Sequence, residues 1–213
     1  MSKWLLLIPT EFERGFVAPL IEQSSADQNV TVAICGFGPI AAAARTAALI
    51  VQHQPEHVLL VGIAGSYREL AVGKAYRFSS VGCYGIGVGT GASFQTAQKM
   101  GWAHWTGDQP SDRIDDVISI DDDQASLQLL TVCAASENQD DVDQRRSLFP
   151  DAVAEDMEGF AVAAACRLAK TRLTIVRGIS NVAGDRDKSN WKIEQAITAA
   201  WKLAEQLVDG AGI

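Results

Sequence analysis

The sequence has no C-x-x-C pair and no His/Cys cluster, and it contains only four cysteines and three histidines in 213 residues. Zinc sites need thiolates and imidazoles at close spacing, so neither a resident metal nor another cofactor is expected. Cys35, Cys83, Cys133 and Cys166 lie far apart in apolar runs. They read as buried, reduced thiols of a cytosolic protein. The apolar run near the N-terminus, in MSKWLLLIPTE, meets Pro9 and Glu11 after a few residues. It is too short for a signal-peptide core or a bilayer span and reads as a buried first strand. Positive charge is scarce too: 18 Lys and Arg stand against 26 Asp and Glu, a net charge of -8. That balance disfavours nucleic acid or an anionic membrane as the main partner. Internal repeats, low-complexity tracts and linkers are absent as well. With 47% hydrophobic residues, residues 1–213 read as one domain with a full core.

What is present centres on residues 173–187, LTIVRGISNVAGDRD. The stretch begins as an apolar, largely β-branched strand, and Gly178 lets a backbone or a ligand come close. After Ile179 it turns polar, with Ser180, Asn181, Asp185, Arg186 and Asp187. Ligands bind at strand ends in open α/β sheets, so this is a candidate site. A charged loop with Arg177 in a surface ion pair is the competing reading.

The rest of the chain alternates strands with helices. Strands are expected at 4–8, 30–35 and 57–61, with one or two more in 72–83, then at 127–135, 152–154 and 173–179. Helices are expected at 11–21, 40–54, 139–149, 156–170 and 190–208. Residues 24–29 and 108–123 read as polar loops, and Asp121 to Asp123 show no calcium-loop spacing. The glycines at 36 and 38 lack the third glycine of a dinucleotide fingerprint and read as a tight turn. Gly62-Ile63-Ala64-Gly65 either backs a ligand with its N–H groups or is simply a turn. The pattern predicts a three-layer α/β/α sandwich with a central sheet.

One carboxylate stands on an apolar face. Glu158 shares a helical face with Val162, Ala165 and Ala169, and Asp156 takes the capping position. A buried acid of this kind needs hydrogen bonds or a ligand, and ligand contact is the preferred reading over capping.

The runs Val153-Ala154-Glu155-Asp156-Met157-Glu158-Gly159 and Arg177-Gly178-Ile179-Ser180-Asn181 together resemble the nucleoside phosphorylase and nucleosidase family. Pro9-Thr10-Glu11-Phe12-Glu13 and the 62–65 turn fall where that family has its water-activating acid and its glycine turn. The run from Ile179 to Trp191 looks most like the branch that removes hypoxanthine from futalosine in a menaquinone route. The resemblance implies a phosphorylase-like fold with a mixed sheet, a small-molecule nucleoside substrate and a homo-oligomer, a dimer or larger.

It also implies roles. Glu158 would accept hydrogen bonds from the ribose hydroxyls, Met157 would pack on the sugar, and Gly65 would lie against the substrate. Glu13 would act as general base on water, with Glu11 as its rival, and Arg177 would help hold Glu13 and the water. Asn181 would accept from N7–H and donate to a 6-oxo group, which favours hypoxanthine over adenine. As a turn residue it would instead satisfy its own backbone. Asp185 would assist protonation or order the loop. Tyr84, Phe94, Trp102, Trp105 and Trp191 are candidates for the walls of a long pocket. Trp102 and Trp105 could equally cover a subunit contact. Ile63 replaces a serine found in hydrolase relatives. The strand at 79–83 lacks the arginine of related phosphorylases, which favours hydrolysis over phosphorolysis. A purine nucleoside phosphorylase or a methylthioadenosine/S-adenosylhomocysteine-type nucleosidase is the first alternative, and a non-catalytic nucleoside-binding protein the second.

Overall fold

The computed structural model describes residues 4–22, 30–120 and 127–210. The expected loop at 24–29 and the aspartates at 121–123 lie outside these residues.

Eleven strands and five helices follow in chain order: β1 (Trp4–Ile8), α1 (Glu11–Ile21), β2 (Val30–Ile34), α2 (Gly38–His53), β3 (His57–Ser66), β4 (Ala75–Phe78), β5 (Ser80–Cys83), β6 (Gly87–Val88), β7 (Gln95–Thr96), β8 (Val117–Ser119), β9 (Gln128–Thr131), α3 (Gln139–Leu148), β10 (Ala152–Asp156), α4 (Gly159–Ala169), β11 (Arg172–Val182) and α5 (Ile193–Gly210). Nine of the strands form one mixed sheet. Its main path runs β2-β1-β3-β10-β9-β5-β8, and β11 pairs with both β3 and β4.

The sheet is covered on both faces, and β1 shows why. All five of its residues are buried, as expected when helices lie above and below a parallel strand. Leu5 and Leu7 pack with Ala42 and Leu49 of α2 and Val162 and Cys166 of α4. Trp4, Leu6 and Ile8 point the other way, onto Val17 of α1 and Ile197, Trp201 and Ala204 of α5. This two-residue alternation sorts the chain into three layers, an α/β/α sandwich as expected.

Several elements differ from the sequence expectation. The glycine run at 62–65 is not a turn but the continuation of β3, which reaches Ser66. β11 extends through the polar residues to Val182. Both strands gain length because they pair with each other in parallel from Arg172↔His57 to Val182↔Ser66. Helix α4 starts at Gly159 with Glu158 at the N-cap position, and Asp156 ends β10 while its carboxylate accepts the first N–H of the helix, that of Gly159. Strict alternation fails between α2 and α3, where six short strands follow one another. One of them, β8, lies in the stretch read as loop. The close approach at Gly178 is made by α5: a Cβ there would lie 2.0 Å from the Ala196 carbonyl oxygen. Cys133 is exposed, unlike the other three cysteines.

The register of β3 locates the site. Its first half pairs with β1, ending at Leu7↔Leu60. Its last two residues pair with β10 instead, through Glu155↔Gly65 and Ala154↔Ser66. β1 has by then turned away at Pro9 and Thr10 into α1. A gap opens where one neighbour leaves and the other arrives, at the kind of switch point that binds ligands.

Candidate active site

A cavity of about 360 Å³ occupies that gap. Glu13, Gly65, Met157, Glu158 and Asn181 all line it, from three separate elements and the link between β10 and α4. Arg177 and Asp185 are not among its lining residues.

Glu13 is placed by the start of α1. Thr10 is the N-cap, and its Oγ1 accepts from the Glu13 backbone N–H at 3.2 Å. The same hydroxyl donates to Glu13 Oε2 at 2.7 Å. The T-x-x-E spacing thus folds the carboxylate back on its own cap, a variant of the capping box. Glu13 Oε1 accepts from the Ile63 N–H at 3.1 Å. Ile63, which stands where related hydrolases have serine, therefore serves through its backbone. Glu11, the rival acid, points out to solvent and pairs with Arg14 at 2.8 Å.

Glu158 follows Asp156 where the chain leaves β10, and only 5% of it is exposed. Its Oε1 accepts from the Gly38 N–H, at the start of α2, at 2.9 Å. Its Oε2 lies 3.4 Å from Arg177 Nη2. Burial pushes the Glu158 carboxyl up to about 7; Arg177 and the Gly38 N–H pull it down, and the carboxylates of Asp156 and Glu13 add to the rise.

Arg177 corrects two expectations. It is no surface residue, since none of it is exposed. It also does not hold Glu13. Its Nε and Nη2 donate to Asp156 Oδ2 at 3.0 and 2.5 Å. Asp156 Oδ1 accepts from Thr131 Oγ1 at 2.7 Å, and Oδ2 also takes the Gly159 N–H at 2.8 Å. The physical reason is register: Arg177 stands opposite Gly62 of β3, β10 pairs with the other edge of β3, and the guanidinium reaches Asp156 across β3 where Gly62 has no Cβ to block it. Burial alone would lower the Arg177 pKa, but the charges of Asp156, Glu158 and Glu13 raise it. Its Nη1 has no hydrogen-bond partner among the described residues. That nitrogen lies against Gly62, where a Cβ would sit 2.1 Å from Nη1 and 2.9 Å from Glu13 Oε1. Only glycine fits at that position.

Asn181 lines the cavity from the bulged end of β11 and pairs with Gly65. Its Oδ1 accepts from Ser180 Oγ at 2.8 Å, and its Nδ2 donates to the Val182 carbonyl at 2.8 Å. These local bonds fix the amide. One lone pair and one N–H remain for a ligand.

Asp185 does not line the cavity, and its hydrogen bonds are those of a residue that orders the loop. Its Oδ1 accepts from the Asp187 N–H and its Oδ2 from Asn190 Nδ2, each at 2.9 Å. Each oxygen has a partner within the loop after β11. Of the five aromatic candidates, Trp191 lines the cavity and Tyr84, Phe94, Trp102 and Trp105 do not. Trp102 and Trp105 are 71% and 53% exposed.

Sequence reasoning missed a second buried polar group beside the cavity. Glu155 Oε2 accepts from Arg145 Nη1 at 2.6 Å, Ser136 Oγ at 2.7 Å and the Tyr67 hydroxyl at 3.1 Å. Its Oε1 accepts from the Ser136 N–H at 2.7 Å. Glu155 was visible in the acidic run beside Met157, but nothing in the spacing tied it to Arg145. Phe12, Phe37 and Arg186 also line the cavity. Among the described residues no group of three His, Cys, Asp or Glu side chains could hold a metal ion.

Comparison with known proteins places this geometry. The chain is 27% identical over 215 residues to a 5'-methylthioadenosine/S-adenosylhomocysteine nucleosidase of Hydrogenovibrio crunogenus, covering 94% of this chain and 88% of that one. A nucleosidase of the same name from Colwellia psychrerythraea, solved with adenine, superposes with a TM-score of 0.77 at 22% identity, covering 98% of this chain and 96% of that one. Futalosine hydrolase of Helicobacter pylori superposes with a TM-score of 0.78 at 14% identity, covering 98% of both chains. Those two likenesses establish the fold. Residues 104–211, just over half of the sequence, match the family directly, and the chain belongs to the phosphorylase superfamily.

Proposed function

We propose that this chain is a nucleosidase that hydrolyses the N-glycosidic bond of futalosine, releasing hypoxanthine and dehypoxanthine futalosine. The observation that carries the reading is the meeting of Glu13, Glu158 and Asn181 in one cavity. Cleavage builds positive charge on the sugar and negative charge on the departing base. Around Arg177, three carboxylates (Glu13, Asp156 and Glu158) outnumber one guanidinium, which suits a cationic sugar. Glu13, held by Thr10 and Ile63, takes the proton of the attacking water. Glu158 accepts from the ribose hydroxyls, Met157 packs on the sugar, and Gly65 leaves its floor open. Arg177 acts behind them as a positioning residue through Asp156 and Glu158.

Asn181 receives the base. Its spare lone pair accepts from N7–H and its spare N–H donates to a 6-oxo group. A 6-amino group would face that donor without an acceptor. Strand β5 supplies no residue to the cavity and, as Ser-Val-Gly-Cys, carries no arginine. In this reading water is the nucleophile.

The decisive experiment is hypoxanthine release from futalosine with and without phosphate. Equal rates support the hydrolase. Release only with phosphate identifies a phosphorylase, and binding without release a nucleoside-binding protein. A second reading, hydrolysis of methylthioadenosine or S-adenosylhomocysteine, is favoured by the name of the relative matched over 94% of this chain. Adenine release from methylthioadenosine exceeding hypoxanthine release from futalosine would establish it instead.

The protein works as a homo-oligomer in the cytosol. All four cysteines are free, as a reducing compartment requires. No described helix is long and apolar enough to cross a membrane. Phe37, Ile40 and Val51, on and just before α2, are 66%, 87% and 78% exposed. That apolar face is the contact between copies.

A further inference from the structure

The cavity is divided by charge and exposure. Its inner wall carries buried acids: Glu13, Glu155, Asp156 and Glu158. Its outer wall carries exposed aromatics, Phe12 at 60% and Phe37 at 66%. Arg186 is the one cation among the described lining residues, and it too is exposed. The mechanism uses none of these outer groups.

Arg186 is held ready. Its guanidinium stacks 5.2 Å from the Trp191 ring centroid, a cation–π distance. Trp191 is pinned in turn, because its Nε1 donates to the Asp185 carbonyl at 3.1 Å. The flanking acids do not neutralise Arg186. Asp185 is tied to Asp187 N–H and Asn190, and Asp187 accepts from the Ser189 N–H and hydroxyl at 3.0 and 2.7 Å. Arg186 forms no ion pair among the described residues. A fixed cation over an aromatic plate, at the mouth of an otherwise acidic cavity, is built to receive an anion.

Position decides what kind of anion. With the glycosidic bond at Glu13 and Glu158, a charge close to the sugar would meet carboxylates and be repelled. The anion must stand off from the ribose, and the surfaces on the way are Phe12, Phe37 and Trp191. We propose that Arg186 and Trp191 form the receptor for a carboxylate at the far end of an apolar, aromatic extension of the nucleoside. The inference deepens the nucleosidase reading and rests on it. A neutral methylthio tail would leave Arg186 without a partner, and a 5'-phosphate would sit too near the acids.

The test compares futalosine with its neutral methyl ester, and both with inosine 5'-monophosphate. The wild type should favour the acid about tenfold in kcat/KM, mainly through KM. The preference should shrink as salt rises, because Arg186 is exposed. In Arg186→Gln the acid-to-ester ratio should fall near one, and Arg186→Lys should keep part of it. An unchanged ratio in Arg186→Gln, no preference in the wild type, or faster cleavage of the 5'-phosphate overturns the proposal. Binding to Glu13→Gln, measured by calorimetry, separates the two claims. If the wild type releases no base, the nucleosidase reading fails. An acid preference in binding that Arg186→Gln removes would still support the receptor, and equal binding of acid and ester would end it.

Discussion

Arg177 Nη2 lies 2.5 Å from Asp156 Oδ2 and 3.4 Å from Glu158 Oε2, so one guanidinium joins a structural acid to a cavity acid. Removing one partner of a fully buried pair leaves an uncompensated charge, which costs far more than the pair contributes. Asp156→Ala should therefore lower unfolding stability by about 3 kcal/mol or more in urea titration. A loss below about 1 kcal/mol would mean that Thr131, Gly159 and the surrounding sheet hold this corner without the ion pair.

Glu158 makes the protein sensitive to pH. Its folded pKa of about 7 stands above the ordinary 4.5. Between these values the unfolded chain has lost a proton that the folded chain still holds. Unfolding stability thus falls as pH rises from about 4.5 through 7, by about 3 kcal/mol at the limit. Glu158→Gln should be more stable than the wild type at pH 8 and lack this slope, as thermal melts across pH would reveal. The ribose contact needs the ionised form, so kcat/KM of the wild type should decline below pH 7. A flat profile from pH 5 to 8 would count against the assignment.

Asn181 donates to the Val182 carbonyl at 2.8 Å. An aspartate there would set a carboxylate against that carbonyl unless it were protonated. Asn181→Asp should cut kcat/KM on 6-oxopurine nucleosides by about tenfold to a hundredfold. Relative activity on 6-aminopurine nucleosides should rise. Competition assays with inosine and adenosine read both effects, and an unchanged base ratio would remove Asn181 from base recognition.

Ile40 on α2 is 87% exposed and Val51 on the same helix 78%. Placing a charge in a buried interface disrupts it. Ile40→Glu should shift the sedimentation profile from oligomer to monomer, while circular dichroism stays unchanged. A wild type that sediments as a monomer would dispose of the α2 contact.

Much of this was legible in the sequence, for identifiable reasons. β1 and α1 were readable because alternation and the T-x-x-E cap are local. That Glu13, Glu158 and Asn181 were candidates was readable because each lies in a short motif within a single run; the structure brings them to one cavity. Tertiary pairing was not readable. β3 continues through Gly62 and Gly65 only because β11 and β10 lie alongside. Arg177 reaches Asp156 across β3, over Gly62, because β11 and β10 pair with its two edges, a register no spacing reveals. Arg145 and Glu155 lie ten residues apart and meet through the α3–β10 turn. For Asp185 the sequence left two roles open, because a carboxylate that ties a loop reads like one that moves a proton.

The most direct measurement is single-turnover hypoxanthine release from futalosine in phosphate-free buffer by the wild type and by Glu13→Gln. The wild type should release the base without phosphate, and Glu13→Gln should do so at least about a hundredfold more slowly. Equal rates from the two proteins would contradict the account at its centre.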